Sequence, residues 1–187
     1  MSQLNLFVQA EEKKTYEYFV LASPDMNICS KVKNEKLKLH NEIGLNRENL
    51  YSAPHISLFK LQNFSAEDRI LPLVEKALVN VKSFAIEINS LVVFDHGEKK
   101  SIALDFKNPD PICEINNKIL DQLLLKPNPF RPHLTIARSV PNKDFRKIKD
   151  LKSYVLNGSF LCDNITILRK EMGSKQKYEV FAKIWLN

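Results

Sequence analysis

Two of the four histidines in this chain stand in the same short setting. Pro54-His55-Ile56-Ser57-Leu58 returns as Pro132-His133-Leu134-Thr135-Ile136, each time inside an apolar run of strand character. Side chains of a strand alternate between its two faces. In both copies the imidazole therefore shares a face with the hydroxyl two residues on, and the aliphatic residues point into a core. Side by side, two such strands present two imidazoles and two hydroxyls to one cleft. That set suits cleavage of a phosphodiester, which needs a base to activate the nucleophile and an acid to protonate the departing oxygen. An imidazole, with a pKa of about 6.5, serves in either role. Ser57 and Thr135 are placed to donate to the phosphoryl oxygens, where a larger side chain would fill the space of the phosphate.

Further candidates surround the pair. Phe59 falls on the face of His55 and Ser57, where it either stacks a base or plugs the boundary between two lobes. Arg138 lies close after the second motif, and a guanidinium there suits a phosphate. Period-2 counting sets it opposite His133 unless the strand bulges, and Arg131, just before the motif, competes with it. Lys143, Arg146, Lys147, Lys149 and Lys152 either guide RNA by charge or form a solvated helix face, and Lys31, Lys33, Lys36 and Lys38 read in the same way. His40, in a predicted helix, and His96, in a turn, have no motif around them. No zinc-ligand spacing and no Gly-rich phosphate loop is present.

The elements that must position these residues come in a repeated order. A strand over 16–22 leads through Ser23-Pro24-Asp25, with the proline expected at the first helical position, into a helix ending near Ile43 and Gly44. The first motif strand covers 55–61. A capping box of Ser65 and Asp68 precedes a helical stripe (Ile70, Leu71, Val74, Ala77, Leu78, Val81) that Pro72 interrupts. A long strand over 84–94, bent at Asn89-Ser90, closes the half. The second half reads as a strand over 101–106, then a helix from Asp110-Pro111, then the second motif strand over 133–138. A basic helix over 142–154, a strand over 160–168 and a last strand over 178–186 follow. The duplication implies two lobes related by a pseudo-twofold axis, with the motif strands meeting between them. Residues 1–14 read as a loose arm. Residues 15–187 read as one bilobed catalytic domain, its lobes divided roughly into 15–97 and 98–187.

Composition sets the frame. A chain of 187 residues, 44% of them hydrophobic and only four glycine, fits one domain with a sizeable core. No apolar run approaches the roughly 18 residues that span a bilayer, and Met1–Ala10 lacks the features of a signal peptide. Three scattered cysteines form no disulfide framework, which suits a reducing cytoplasm. A net charge of +6 and a pI near 9.1 favour acidic partners, nucleic acid above all.

The paired Pro-His-x-Ser/Thr-aliphatic strands resemble the 2H phosphoesterase superfamily, and within it the 2′-5′ RNA ligase-like RNA 2′,3′-cyclic phosphodiesterases. The run from His133 to Arg138 is similar to the second motif of that branch, arginine included. The run from His55 to Phe59 is similar to the first, with Ser57 where threonine is common. The resemblance covers about 16–187 as element order and two motifs. It implies an α+β, bilobed 2H phosphoesterase fold with antiparallel sheets around a central cleft and helices outside. It also implies hydrolysis of RNA 2′,3′-cyclic phosphate ends to 2′-phosphates without metal or cofactor. His55 would protonate the departing 3′ oxygen and His133 would take a proton from water, roles that near-symmetric motifs allow to be exchanged. Reversible 2′-5′ joining of RNA ends belongs to the same family. Two other functions stay open: a phosphodiesterase for 2′-5′ oligonucleotides or a cyclic ADP-ribose phosphate, and a non-catalytic RNA-end-binding module. The expected partners are RNA ends or small cyclic-phosphate nucleotides, with no membrane and no metal, for a cytoplasmic monomer.

Overall fold

The computed structural model describes residues 14–64, 67–127 and 129–187. The expected arm, apart from Lys14, and the Ser65 end of the capping box lie outside these residues. The aromatic and aliphatic run after Thr15 forms strand β1 (Tyr16–Ala22), buried from Glu17 onward. Asp25 caps helix α1 (Met26–Ile43), its carboxylate accepting the Ile28 N–H at 2.8 Å. Such a cap contributes about 1 kcal/mol. Pro24 therefore precedes the cap and does not occupy the first helical position. Gly44 ends the helix in the left-handed conformation, φ +71°. A short helix that the sequence pattern did not announce, α2 (Arg47–Tyr51), follows with Asn46 as its cap.

Strand β2 (Ile56–Phe64) carries the first motif and leads to α3 (Glu67–Leu78), β3 (Phe84–Asp95) and β4 (Lys99–Phe106). The pairing of β3 with β4 slips between Ile88 and Ser90, which is the bend expected at Asn89-Ser90. Helix α4 (Asp110–Gln122) and strand β5 (Leu134–Pro141), with the second motif, come next. The basic helix expected over 142–154 is instead a single turn, α5 (Asn142–Phe145), and a 3₁₀ turn over Leu151–Tyr154. Its apolar residues Phe145, Ile148, Leu151 and Tyr154 recur every third position, the period of a 3₁₀ helix rather than an α-helix. The strand expected over 160–168 is two strands, β6 (Gly158–Cys162) and β7 (Asn164–Glu171), which pass at Asp163 from one sheet to the other. Strand β8 (Glu179–Trp185) completes the chain's elements.

Two antiparallel four-stranded sheets result, in the orders β2-β1-β7-β8 and β5-β4-β3-β6. They match position by position: a motif strand at one edge, the first strand of its half beside it, then two more. The third strands are exchanged. β3 follows the first motif yet pairs with β4, because the tight turn at Asp95–Glu98, with Gly97 at φ +72°, folds the two into a hairpin. β7, late in the chain, takes the place beside β1. The sheets therefore do not follow the halves 15–97 and 98–187; one is built from both ends of the chain and the other from its middle. A single hydrophobic cluster runs through both. Helix α1 packs against β5 and β6 of the opposite sheet, while α3 packs against α4 and β8. Among the described residues no helix is long and apolar enough to cross a membrane.

Candidate active site

The two motif strands repeat one another in backbone detail. In β2, Phe59 pairs with Val20 and Ser57 with Leu21, so Leu58 is an extra residue. In β5, Ala137 pairs with Ile102 and Thr135 with Ala103, so Ile136 is extra in the same place. A bulge resets the alternation of faces. Past each bulge, the residue five beyond the histidine, Lys60 in one copy and Arg138 in the other, turns into the same cavity. Arg138 thus joins the face from which strict alternation excluded it. A second slip in β5 sets Ser139 at φ +53°. There the Asn49 side chain grips the backbone of Arg138, donating from Nδ2 to its carbonyl at 2.9 Å and accepting its N–H at 2.7 Å.

Both imidazoles are anchored alike. His55 Nδ1–H donates to the Ala53 carbonyl at 2.8 Å, and His133 Nδ1–H donates to the Arg131 carbonyl at 2.8 Å. A carbonyl only accepts, so Nδ1 holds the hydrogen and Nε2 is left to exchange a proton with a ligand. Each ring also rests on an aromatic neighbour, His55 nearly perpendicular to Phe19 at 5.2 Å and His133 tilted against Phe94 at 4.7 Å between centroids.

A cavity of about 500 Å³ opens between the sheets, and His55, Ser57, Phe59, Thr135 and Arg138 are in its wall. His133 is not part of that wall, but lies close enough for its charge to act on His55, and Arg138 acts on both rings. Arg131 does not line the cavity; its guanidinium is paired with Asp105 and lies over Phe94. His40 and His96 lie outside it too, bonded to the Leu45 carbonyl and to Ser101 Oγ. Lys36, read from sequence as solvated, is only 1% exposed and lines the cavity. Its Nζ donates to the Ser52 carbonyl at 2.8 Å and to Ser52 Oγ at 2.7 Å. The signal was in the helix: Ile28, Val32, Lys36, Leu39 and Ile43 form one buried stripe, and Lys36 occupies its middle.

The family model described as the 2'-5' RNA ligase superfamily matches residues 45–173. This chain belongs to that superfamily. Both motifs and the cavity residues from Asn46 to Ser139 lie within the match. No curated protein matches by sequence. Solved structures share the fold. E. coli LigT in its apo form superposes with a TM-score of 0.71 at 15% identity, over 92% of this chain and 98% of that one. E. coli LigT complexed with 3′-AMP gives 0.63 at 13%, over 92% and 98%. Usb1 from Kluyveromyces marxianus gives 0.53 at 11%, over 93% and 99%. The α+β architecture with two antiparallel sheets is thus that of the 2H phosphoesterases.

For a member of this superfamily, the charges at the site are informative. Burial holds both histidines below the ordinary imidazole range, against the opposing effect of their carbonyl bonds. Arg138, Lys36 and His133 depress His55 further. Around His133, Arg138 and Arg131 act downward while Asp105 acts upward. Burial and the neighbouring Arg138 lower the Lys36 ammonium to about 8, so it remains mostly charged at neutral pH. The cavity thus combines the His55 imidazole, two hydroxyls and a fixed positive potential, with His133 beside it, and suits an anionic ligand. Among the described residues no three His, Cys, Asp or Glu side chains are grouped to hold a metal ion.

Proposed function

We propose that this chain is a phosphodiesterase that opens RNA 2′,3′-cyclic phosphate ends to 2′-phosphates. Water attacks phosphorus as one imidazole accepts its proton; the bond from phosphorus to the 3′ oxygen breaks as the other imidazole protonates that oxygen. Ser57 and Thr135 donate to the phosphoryl oxygens, and Arg138 offsets their charge. The observation that carries this reading is the matched pair of motif strands. Each fixes its histidine through Nδ1, and both send their hydroxyls into one cavity. The complex of E. coli LigT with 3′-AMP supports a nucleotide as the ligand of this fold. Following the motif resemblance, His55 protonates the departing 3′ oxygen and His133 takes the proton from water; Arg138 acts downward on both rings. Ligation through a 2′-5′ bond would use the same groups in the opposite direction.

The test is to incubate the protein with nucleoside 2′,3′-cyclic monophosphates and a 2′-5′-linked dinucleotide, with and without EDTA, and to identify the products. The 2′-monophosphate is expected from the cyclic substrates at an undiminished rate in EDTA. Formation of the 3′-monophosphate, strong inhibition by EDTA, or binding without turnover would each contradict the proposal.

A further inference from the structure

The hydrolytic chemistry accounts for the histidines, the hydroxyls and one cation, and leaves the buried ammonium of Lys36 without a task. Two of its three protons go to Ser52. Among the described residues no carboxylate pairs with it or with the Arg138 guanidinium, and the nearby charge that acts on Lys36 is Arg138 itself. Glu48 also lines the cavity and is paired with neither. Two cations close enough to act on one another, neither paired with an acid among the described residues and one of them 1% exposed, are costly unless an anion joins them. A cyclic phosphodiester has a single negative charge, and a cavity of about 500 Å³ has room well beyond one phosphate. The site is also held in place: Asn49 fixes the backbone of Arg138, and Ser52 stands in the loop whose Ala53 carbonyl anchors His55.

Resting on the phosphodiesterase reading, we propose that Lys36, with Arg138 shared between the two groups, forms a subsite for a second phosphate of the substrate. The preferred substrate is then a cyclic phosphate that bears another phosphate, either a 5′-phosphate on the same nucleoside or the internucleotide phosphate of a longer strand. A charge-assisted contact of this kind raises kcat/KM about ten- to a hundredfold.

The experiment compares kcat/KM for a nucleoside 2′,3′-cyclic monophosphate, its 5′-phosphorylated form, and a dinucleotide ending in a 2′,3′-cyclic phosphate. In the wild-type protein, one or both of the substrates with two phosphates should exceed the first by about tenfold or more, and the better one identifies the source of the second phosphate. Lys36→Met, which keeps the buried stem and removes the charge, should bring that ratio close to one. Lys36→Gln, which removes the charge and can still bond to Ser52, gives the same readout should the Met variant fail to fold. Equal values for all three substrates in the wild type would overturn the subsite. So would a folded Lys36→Met protein that loses all three activities in proportion, since Lys36 would then serve the reacting phosphate. No turnover of any of the three would instead overturn the hydrolytic reading, and the subsite with it.

Discussion

The strand around His55 and the strand around His133 hold their imidazoles by the same means and surround them with different charges. In both, Nδ1 is tied to the carbonyl two residues back, an aromatic ring backs the imidazole, and a bulge follows the hydroxyl. Beyond that the copies part. Four residues past the histidine stands Phe59 in one and Ala137 in the other; five past stands Lys60 or Arg138. Lys60 is neutralised by Glu17, at 3.4 Å, and lies over the Phe19 and Tyr178 rings, whereas among the described residues Arg138 is held through its backbone by Asn49 and pairs with no carboxylate. What repeats is the device that aims Nε2. What differs is the wall around it, as an unsymmetrical substrate with an attacked and a departing side requires.

The comparison can be broken most severely at the rings. His55→Ala and His133→Ala should each lower kcat/KM on a cyclic-phosphate substrate by about 10²- to 10⁴-fold, with thermal unfolding close to wild type. Loss in only one of them would mean that the copies are alike in form and not in use. The hydroxyls come next. Ser57→Ala and Thr135→Val each remove one donor to the phosphoryl oxygens, and kcat should fall about a hundredfold in each, by steady-state kinetics. A smaller effect separates the two cations. Arg138→Gln should raise KM about tenfold, and Lys60→Gln should raise it less, because Glu17 already offsets that charge.

The smallest effect is read by NMR titration of the two rings. Both should titrate below the ordinary value of about 6.5. The pH profile of kcat/KM should accordingly peak on the acid side of that value. For stability the sign follows from linkage: between each lowered folded pKa and about 6.5, the unfolded chain binds more protons than the folded one, so stability is lost as pH falls through that window. A ring that titrates above that value would contradict its burial beside Arg138.

Local pattern and paired geometry contributed unequally to what could be read from the chain. Alternation alone located β2 and β5 and put each histidine with its hydroxyl, because the two are two residues apart on one strand. It misplaced Arg138 because a bulge is a property of how two strands pair, and Leu58 and Ile136 look like ordinary strand residues. Repetition of the element order foretold the paired sheets, but not the exchange of β3 and β7, which the hairpin at Gly97 and the crossing at Asp163 decide. The unbroken apolar character of 160–168 hid that crossing. Lys36 was lost among neighbouring lysines, although it alone falls on the buried stripe of α1.

The most direct test of the central claim, that both rings act on one phosphorus in a single step, is a double-mutant cycle on cyclic-phosphate hydrolysis. His55→Ala, His133→Ala and the double variant are each compared with the wild type. Groups that act as a unit are strongly non-additive, so the double variant should turn over within about tenfold of the slower single variant. Losses that multiply, the double variant falling by the product of the two, would mean that the histidines act independently and would contradict the account.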